Sequence, residues 1–499
     1  MYADDVMIFL RPELHGLQAT WALLHLFGQA SGLDVNLAKS CILPVACQPL
    51  DLPFAAAHAG CSFAQFPCSY LGMPLSDKRL KRNDLQPLLD KFMKRLACWK
   101  AKWISLTGRL TLVSAVLSAL PAYQLIALLH PKWLLKQLDK LRRAFLWAAS
   151  DTVSGGKCLV NWKVVCIPKS LGGLGIPNLH LQGIALLVRW LWQEATDTSK
   201  PWHGLPLPTN ELTRAVFRAS TTIIINNGIS TSFWKSHWCS VTPLCSLYPK
   251  LFKHSRHRNA SVRQALPGRA WISSIKPNPS PEVLAEYLAL WAHLDPLAST
   301  TFNDQPDSVR WKWTESGIYS ASSTYNFLLN GHHPTEALAD LWKVKAIPKC
   351  RIHAWLLLRS RVLTADNLAS RGWPHDPLCK LCNSHFETGN HLFASCSYSR
   401  SVWSATLARL HLPAQLTPTA DTEGLQEWWT VSSQLVPAAL RCRWQSVVLL
   451  TWWYIWKERN NRIFNNKARL ATDLVQKITS ELAEWRRAGV LKQSWPIEE

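Results

Sequence analysis

Four residues of metal-binding type lie close together along the chain, in the spacing C-x2-C-x8-H-x4-C: Cys379, Cys382, His391 and Cys396. Thiolate and imidazole ligands at this spacing suit tetrahedral Zn²⁺. Four protein ligands leave no open coordination position, so the predicted role is structural. A C-x2-C pair also arises by chance in a chain with 14 cysteines, and His375 or His385 could replace His391.

The composition is typical of a packed globular chain. Hydrophobic residues make up 48% and charged residues 18% of 499 residues, a length that accommodates about three domains. The net charge of +22 favours polyphosphate partners such as DNA or RNA, although a basic soluble protein has the same property. Scattered cysteines and the lack of a charged-then-apolar leader predict an intracellular protein, nuclear or cytoplasmic and not secreted. The longest apolar stretch, Trp444 to Trp456, is too short for a transmembrane span.

Apolar periodicity predicts an α+β chain that is predominantly α-helical. A strand-turn-strand is expected over Tyr2 to Leu10, a helix from Glu13 to Ala30, and a short strand pair around Ile42 and Tyr70. Basic amphipathic helices are predicted from Asn83 to Ala149, with breaks at Pro121 and Pro131.

Turn residues and apolar spacing also distinguish the segments after residue 150. Gly155 to Pro177 lacks the GxGxxG pattern and is predicted to be a turn, not a phosphate loop. The stretch from Ser199 to Asn278 is rich in Pro, Ser and Asn, which indicates a loosely organised connector. A helical module follows from Val309 to Trp403, and then a Trp-rich helical tail from Leu425 to Trp485.

Adjacent carboxylates stand in Tyr2-Ala3-Asp4-Asp5. Two divalent cations that bridge nucleotide phosphates need hard oxygen ligands, and a rigid turn with two aspartates supplies part of such a set. Aspartate is also common in ordinary surface turns, which is the alternative for an isolated motif of this kind.

Three segments in order resemble the catalytic palm of LINE-type reverse transcriptases: residues 2–10, 31–40 and 70–75. The resemblance implies that Asp4 and Asp5 bind the catalytic metals. It further implies that Asn36, Lys39 and Ser40 form the next palm motif and that Tyr70, Leu71 and Gly72 form the primer-grip hairpin. The basic helices from 83 to 149 then take the position of the thumb, whose candidate phosphate contacts are Lys91, Lys94, Lys100 and Lys102. A solvated helix face explains these lysines equally well.

Segments 311–320, 342–348, 363–368 and 379–403 resemble the zinc-binding domain that follows the polymerase in plant LINE-type elements. The resemblance implies that Cys379, Cys382, His391 and Cys396 are the ligands. Trp355, Trp373 and Trp403 could stack on unpaired bases, but core positions are the favoured interpretation. The segment 452–464 matches what usually follows this module, without an evident chemical role, and no acidic tetrad of the ribonuclease H kind is apparent beyond it.

These observations predict a partial palm at 1–80, a helical thumb and connection at 81–198, a loosely organised connector at 199–300, a zinc-binding domain at 301–405 and a helical tail at 406–499. The expected function is that of a fragment of an RNA-directed DNA polymerase that binds RNA and DNA as template and primer. Because the family has another metal-binding aspartate and the fingers upstream, the chain alone is expected to be inactive and to need the N-terminal polymerase and endonuclease parts. Zinc is the expected cofactor, and magnesium only with a completed palm. The alternative is a zinc-dependent nucleic-acid or protein interaction module with a vestigial polymerase portion.

Overall fold

The computed structural model describes residues 6–11, 13–45, 57, 60–97, 101–153, 155–297, 300–331, 336–419 and 424–491. Asp4, Asp5 and Lys100 lie outside these residues, so the predictions made for them stay predictions. The chain divides into two compact units, Met1–Arg95 and Leu96–Glu499, which are described separately.

Helices predominate, as predicted. The α-helices are α1 Leu14–Ser31, α2 Gln86–Ala97, α3 Leu106–Leu112, α4 Ala122–Ala127, α5 Lys132–Ala148, α6 Trp162–Val165, α7 Leu179–Thr196, α8 Glu211–Ser220, α9 Leu244–Leu247, α10 Pro249–His254, α11 Val262–Ala265, α12 Pro281–Leu294, α13 Ala321–Leu328, α14 Glu336–Leu341, α15 Pro348–Leu358, α16 Ala365–Ala369, α17 Ser397–Arg409, α18 Leu425–Leu435, α19 Ala438–Phe464 and α20 Ala471–Arg487. The strands are β1 Cys41–Ile42, β2 Ser62–Phe63, β3 Cys68–Tyr70, β4 Met73–Leu75, β5 Thr221–Ile224 and β6 Ser308–Trp311.

Helix α1 confirms the helix expected from Glu13 to Ala30. It ends where Gly32 adopts a left-handed conformation (φ 73°) and its N–H donates to the carbonyl of Gly28 at 2.8 Å. The strand predicted for residues 6–10 is not found, because these residues make no ladder with any described strand. A strand requires such a partner, and its apolar composition alone does not provide one.

Strands near Ile42 and Tyr70 are present, but they do not pair with each other. Strand β1 pairs in parallel with β2, and β3 pairs in antiparallel with β4. Leu71 and Gly72 connect β3 to β4 with φ of 50° and 74°, the positive values of a type I′ hairpin turn. The expected hairpin at 70–72 is therefore formed.

The helices after residue 83 follow the predicted pattern. Pro121 and Pro131 stand at the N-caps of α4 and α5, where proline does not interrupt a helical hydrogen bond. On α2, Leu88 and Phe92 are buried while Lys91 and Lys94 are exposed. Gly172 and Gly175 have φ of 87° and 75°, so the chain turns at these glycines, as expected, although the segment 155–177 also contains the short helix α6.

Residues 199–300 differ from the loosely organised connector that the sequence predicted. Helices α9 to α12 surround a buried cluster that includes Phe233, Trp234, Leu251 and Trp271. Pro, Ser and Asn do occur in many turns here, but large apolar residues from between these turns pack together in one core. Because turn residues dominate the local composition, the sequence did not indicate this core.

The predicted boundary at residue 301 separates segments that pack together. Strand β6 pairs with β5 over four residues, and Trp311 in β6 packs edge-on against Trp192 of α7, with ring centroids 6.0 Å apart. Helix α13 lies against α7 as well. The segment 308–328 thus belongs to the core around α7.

The Trp-rich tail is part of the module that precedes it. Helix α15 packs on α19, and α17 packs on α20. Trp403 of α17 lies against Trp428 and Trp444, with ring centroids 5.2 and 6.2 Å apart. Trp355 and Trp403 are fully buried, which confirms their core interpretation, whereas Trp373 is only half-buried. Within the described residues, no helix combines the length and apolar character needed to cross a bilayer.

A histidine without a polar partner lies in the core of this module. His353 of α15 is 5% exposed, and its two ring nitrogens have no hydrogen-bond partner among the described residues. The rings of Phe393, Trp453 and Trp456 surround it, with centroids 5.7, 5.4 and 5.8 Å away. Burial lowers the pKa of His353 from 6.5 to about 3.

This burial predicts a specific loss of stability in acid. The unfolded histidine protonates near its ordinary pKa of 6.5, whereas the folded one stays neutral until about pH 3, so stability falls as the pH drops below 6.5. Between pH 7 and pH 5 this single group should remove about 2 kcal/mol from the free energy of unfolding. Urea unfolding at both pH values should show a pH-dependent loss about 2 kcal/mol smaller for His353→Leu than for wild type. Equal losses would show that His353 is not neutral and buried.

Candidate metal centre

Cys379 and Cys382 lie in a tight turn that closes on itself. The N–H of Cys379 donates to the carbonyl of His385 at 2.9 Å, and the N–H of Asn383 donates to the carbonyl of Cys379 at 2.7 Å. Asn383 has a φ of 54°, a left-handed conformation that asparagine tolerates better than most residues. The turn brings the side chains of Cys379 and Cys382 to the same side.

The other two residues come from a second segment. His391 begins a π-helical turn that ends at Ser395, and the N–H of Cys396 donates to the carbonyl of His391 at 2.7 Å. Cys396 then stands at the N-cap of α17. Because the π turn joins residues five apart by a hydrogen bond, it brings His391 and Cys396 to the same side of the chain.

The four ligand atoms lie within 4.8 Å of one another. Sγ of Cys379 is 3.9 Å from Sγ of Cys396, and Sγ of Cys382 is 3.4 Å from Nε2 of His391. A tetrahedral zinc with Zn–S of ~2.3 Å and Zn–N of ~2.0 Å requires edges of about 3.8 Å between sulfurs and about 3.5 Å between sulfur and nitrogen. The donor set and its spacing fit zinc.

The histidines that the sequence left as alternatives lie elsewhere. The ring of His385 stacks on that of His391, with centroids 5.3 Å apart, but His385 is not in the cluster. His375 forms a hydrogen bond from Nδ1 to the carbonyl oxygen of Trp373 at 2.9 Å. Only His391 of the three meets the cysteines, as the pattern of the sequence indicated.

The pKa values of the four cluster residues are shifted in different directions. The hydrogen bond to Cys396, together with burial, raises the pKa of Cys379 to about 12, and the same hydrogen bond lowers the pKa of Cys396. Burial of Cys382 is outweighed by hydrogen bonds from the Ser384 backbone and from His391, so its pKa is lowered. A hydrogen bond to Cys379 raises the pKa of His391. A bound cation would therefore displace the protons of Cys379 and His391, which makes metal affinity fall with falling pH.

A buried ion pair joins the metal-binding turn to the tail. Glu387 and Arg459 of α19 are 1% and 6% exposed, and Nη2 of Arg459 lies 2.6 Å from Oε1 of Glu387. The same carboxylate oxygen accepts the N–H of Ala365 at 3.0 Å. Removal of one partner from such a pair typically costs about 3–5 kcal/mol, because the other charge stays buried and unpaired.

A second arginine of α19 holds the turn itself. Nη1 of Arg462 donates to the carbonyl of Leu381, between the two cysteines, at 2.9 Å. Its Nε donates to Glu458 at 3.0 Å, and Glu458 also accepts the N–H of Arg469 at 2.9 Å. The Arg462 guanidinium lies over the ring of Tyr398, 4.4 Å from the ring centroid. These contacts position the metal-binding turn against α19.

The sequence assigned no role to the segment 452–464, where Arg459 and Arg462 lie. The spacing of Glu458 and Arg462, four residues apart, was the available signal of an ion pair on one helix face. Glu387 was noted only as part of a resemblance. The other partners, Glu387 for Arg459 and the Leu381 carbonyl for Arg462, lie more than seventy residues away in sequence, beyond what local patterns report.

The other predicted residues lie in separate places. Asn36, Lys39 and Ser40 form one turn, in which Oδ1 of Asn36 accepts the N–H of Lys39 at 3.2 Å. Tyr70 and Gly72 lie at the β3–β4 hairpin. Lys91, Lys94 and Lys102 are exposed. The nucleic-acid roles predicted for all of them stay predictions.

Comparison with known proteins bears on this centre directly. A family described as zinc-binding in reverse transcriptase matches residues 319–403, which include all four cluster residues. An Arabidopsis thaliana protein named "Putative ribonuclease H protein" is 26% identical over 459 residues, 84% of this chain and 71% of the relative. A Xenopus laevis protein of 149 kDa, named for transposon TX1, is 26% identical over 212 residues, 41% of this chain and 15% of the relative.

The matched segment is thus a zinc-binding module of the reverse-transcriptase type, and its Cys₃His cluster suggests zinc as the metal. Together with the two relatives, this module indicates that the chain is a retrotransposon-derived, reverse transcriptase-like protein.

Zinc removal should destabilise the protein. The purified chain should contain one zinc per molecule, and Cys379→Ser or Cys396→Ser should lose it. Since apparent zinc-binding free energies in closed sites are on the order of 10 kcal/mol, we expect these variants to lose roughly 3 kcal/mol or more of stability. Metal analysis and thermal unfolding with and without a chelator provide the measurement.

Cys442→Ser is the matched control, because Cys442 is exposed and outside the cluster. It should keep its zinc and its unfolding midpoint. A zinc-free wild-type protein whose midpoint is insensitive to the chelator and to both cluster substitutions would contradict the assignment.

Proposed function

We propose that this chain is the C-terminal part of a reverse transcriptase from a plant LINE-type, non-LTR retroelement. In this proposal it contributes nucleic-acid binding through its thumb and a structural zinc module to RNA-templated DNA synthesis. The observation that carries the proposal is the Cys₃His cluster, which lies inside a segment similar to zinc-binding modules of reverse transcriptases.

The zinc would be held by Cys379, Cys382, His391 and Cys396 and would supply cohesion, not catalysis. Four protein ligands leave no position for water or substrate. What this chain's own residues do is brace that centre: Glu387, Arg459 and Arg462 connect it to α19. The module thereby presents a fixed surface to whatever partner it binds.

The thumb part of the proposal concerns α2 and the segment after it. Lys91 and Lys94 stand three residues apart on the exposed side of α2, opposite the buried Leu88 and Phe92. This arrangement supports phosphate contact, since an ammonium can approach the backbone of a duplex without reading its sequence. Lys100 and Lys102 are proposed to add to the same electrostatic attraction.

The catalytic part of the proposal assigns Asp4 and Asp5 to magnesium. Two carboxylates from one turn leave a two-metal site short of ligands, so a further carboxylate from another strand is required. We therefore propose that the chain does not polymerise by itself, and that synthesis requires the N-terminal polymerase part as a partner.

A second candidate function is a zinc-dependent interaction module in which the polymerase portion is vestigial. The packing of α15, α17, α19 and α20 around one core favours it, because this module has its own buried aromatic cluster and its own ion pair. The two candidates differ in whether residues before 96 affect nucleic-acid binding.

Binding of an RNA template annealed to a DNA primer tests the proposal. Lys91→Gln/Lys94→Gln should weaken binding about tenfold at moderate salt, because two phosphate contacts are lost. For a duplex, each lost contact should also reduce the slope of log affinity against log salt concentration by about 0.9. Lys467→Gln/Lys477→Gln, which removes two exposed lysines from the tail region, is the matched control and should bind like wild type.

The same proteins should be assayed for primer extension with Mg²⁺, alone and joined to the upstream polymerase part of a related element. We expect extension only in the joined protein, and its loss in Asp4→Asn/Asp5→Asn. Equal binding by both lysine double variants, together with no extension by a folded joined protein, would refute the polymerase assignment and leave the interaction module.

A further inference from the structure

The region between α8 and α12 has an uneven charge composition. The stretch 212–281 contains ten lysines and arginines and no aspartate or glutamate. It thus supplies +10 of the net +22 from 70 of 499 residues. A solvated surface normally intersperses both signs, so this distribution indicates a region that attracts anions.

Carboxylates from the flanking segments neutralise part of this charge. Arg218 pairs with Glu211, Lys250 with Glu282, and Arg269 with Asp295. Among the described residues, none of Arg256, Arg258 and Lys276 forms an ion pair. The three are exposed, and they line the same cavity.

The cavity has a volume of about 980 Å³ and lies beside the buried Trp234 and Trp271. Its lining includes no carboxylate, and Asn259, Gln264 and Ser273 supply polar groups at its wall. A space of this size accommodates one or two nucleotides and is too small to enclose a duplex. The charge and the volume together suit a single strand.

Backbone contacts position the residues that carry these cations. Ser255 and Ile275 form an antiparallel bridge, and the N–H of Arg256 donates to the carbonyl of Ser274 at 2.7 Å. The hydroxyls of Ser255 and Ser274 are 3.0 Å apart in the interior. These contacts hold Arg256 and Lys276 on neighbouring strands of chain at the cavity.

The remaining cations support the same site. Nε of Arg258 donates to the carbonyl of Ser255 at 3.2 Å, which orders the loop that carries Arg256. Lys235 reaches the cavity lining through Asn259, whose Oδ1 accepts from its Nζ at 2.7 Å. Arginine guanidinium groups can bind two phosphate oxygens at once, which suits a phosphodiester ligand.

We propose that the cavity at Arg256, Arg258 and Lys276 binds the phosphodiester backbone of a single-stranded segment of RNA or DNA. This site is separate in sequence from the zinc cluster and from the lysines of the proposed thumb. The proposal rests on the charge and shape of this cavity, and it does not require that the chain be part of an active polymerase.

The test compares three full-length, zinc-loaded proteins by fluorescence anisotropy with a short oligouridine over a salt series. Arg256→Gln/Lys276→Gln removes two cavity cations whose side chains make no hydrogen bond among the described residues. Lys467→Gln/Lys477→Gln removes the same charge elsewhere. We expect the cavity variant to bind about tenfold more weakly, with a log-log salt slope smaller by about 1.4, and the control to stay within about twofold of wild type.

Arg258 is tested separately because it also orders the loop. Arg258→Lys keeps the charge and should retain more of the affinity than Arg258→Gln. Equal weakening by the cavity and control variants would mean diffuse attraction and overturn the proposal, as would unchanged binding by the cavity variant. Polyglutamate that competes as well as oligouridine at equal charge would also overturn it, in favour of an acidic polypeptide. Lys91→Gln/Lys94→Gln reports on the thumb alone, so the two proposals can fail independently.

Discussion

The module after residue 336 depends on one constraint: two separate segments, a short turn and the start of a helix, must bring their metal-binding side chains together in one cluster. Cys379 and Cys382 come from the turn, and His391 and Cys396 come from the π-helical segment that leads into α17. Brought together without a cation, three thiols and an imidazole compete for protons, and burial makes charged thiolates costly. A bound zinc would remove that conflict and couple the turn to α17, and through α17 to α20.

The tail helices make further contacts with the metal-binding segments. Arg459 neutralises Glu387 in the interior, and Arg462 satisfies a carbonyl between the two cysteines. These contacts give the segment 452–464 a structural role, because without them a buried carboxylate and a carbonyl of the metal-binding turn would be unsatisfied. Ligand set and tail together form one structural unit.

Local sequence patterns predicted several helix boundaries and the metal-binding cluster. Proline positions predicted where α4 and α5 begin, glycine predicted where α1 ends, and the Cys/His spacing predicted the cluster, because each depends on nearby residues only. Patterns failed where distant segments decide the outcome. The core around Trp234 and Trp271 combines residues scattered among turn-rich sequence, and the Glu387–Arg459 pair joins positions more than seventy residues apart. The segment 6–10, expected to be a strand, pairs with no strand among the described residues, and composition does not predict pairing.

X-ray absorption spectroscopy at the zinc edge of the purified full-length chain tests the central claim most directly. The account predicts a first shell of three sulfurs at about 2.3 Å and one nitrogen at about 2.0 Å, with outer-shell scattering from a single imidazole. Substitution of His391 by Cys should convert this shell to four sulfurs. A shell dominated by oxygen, a second imidazole, or an unchanged spectrum in His391→Cys would contradict the proposed ligand set and the structural role built on it.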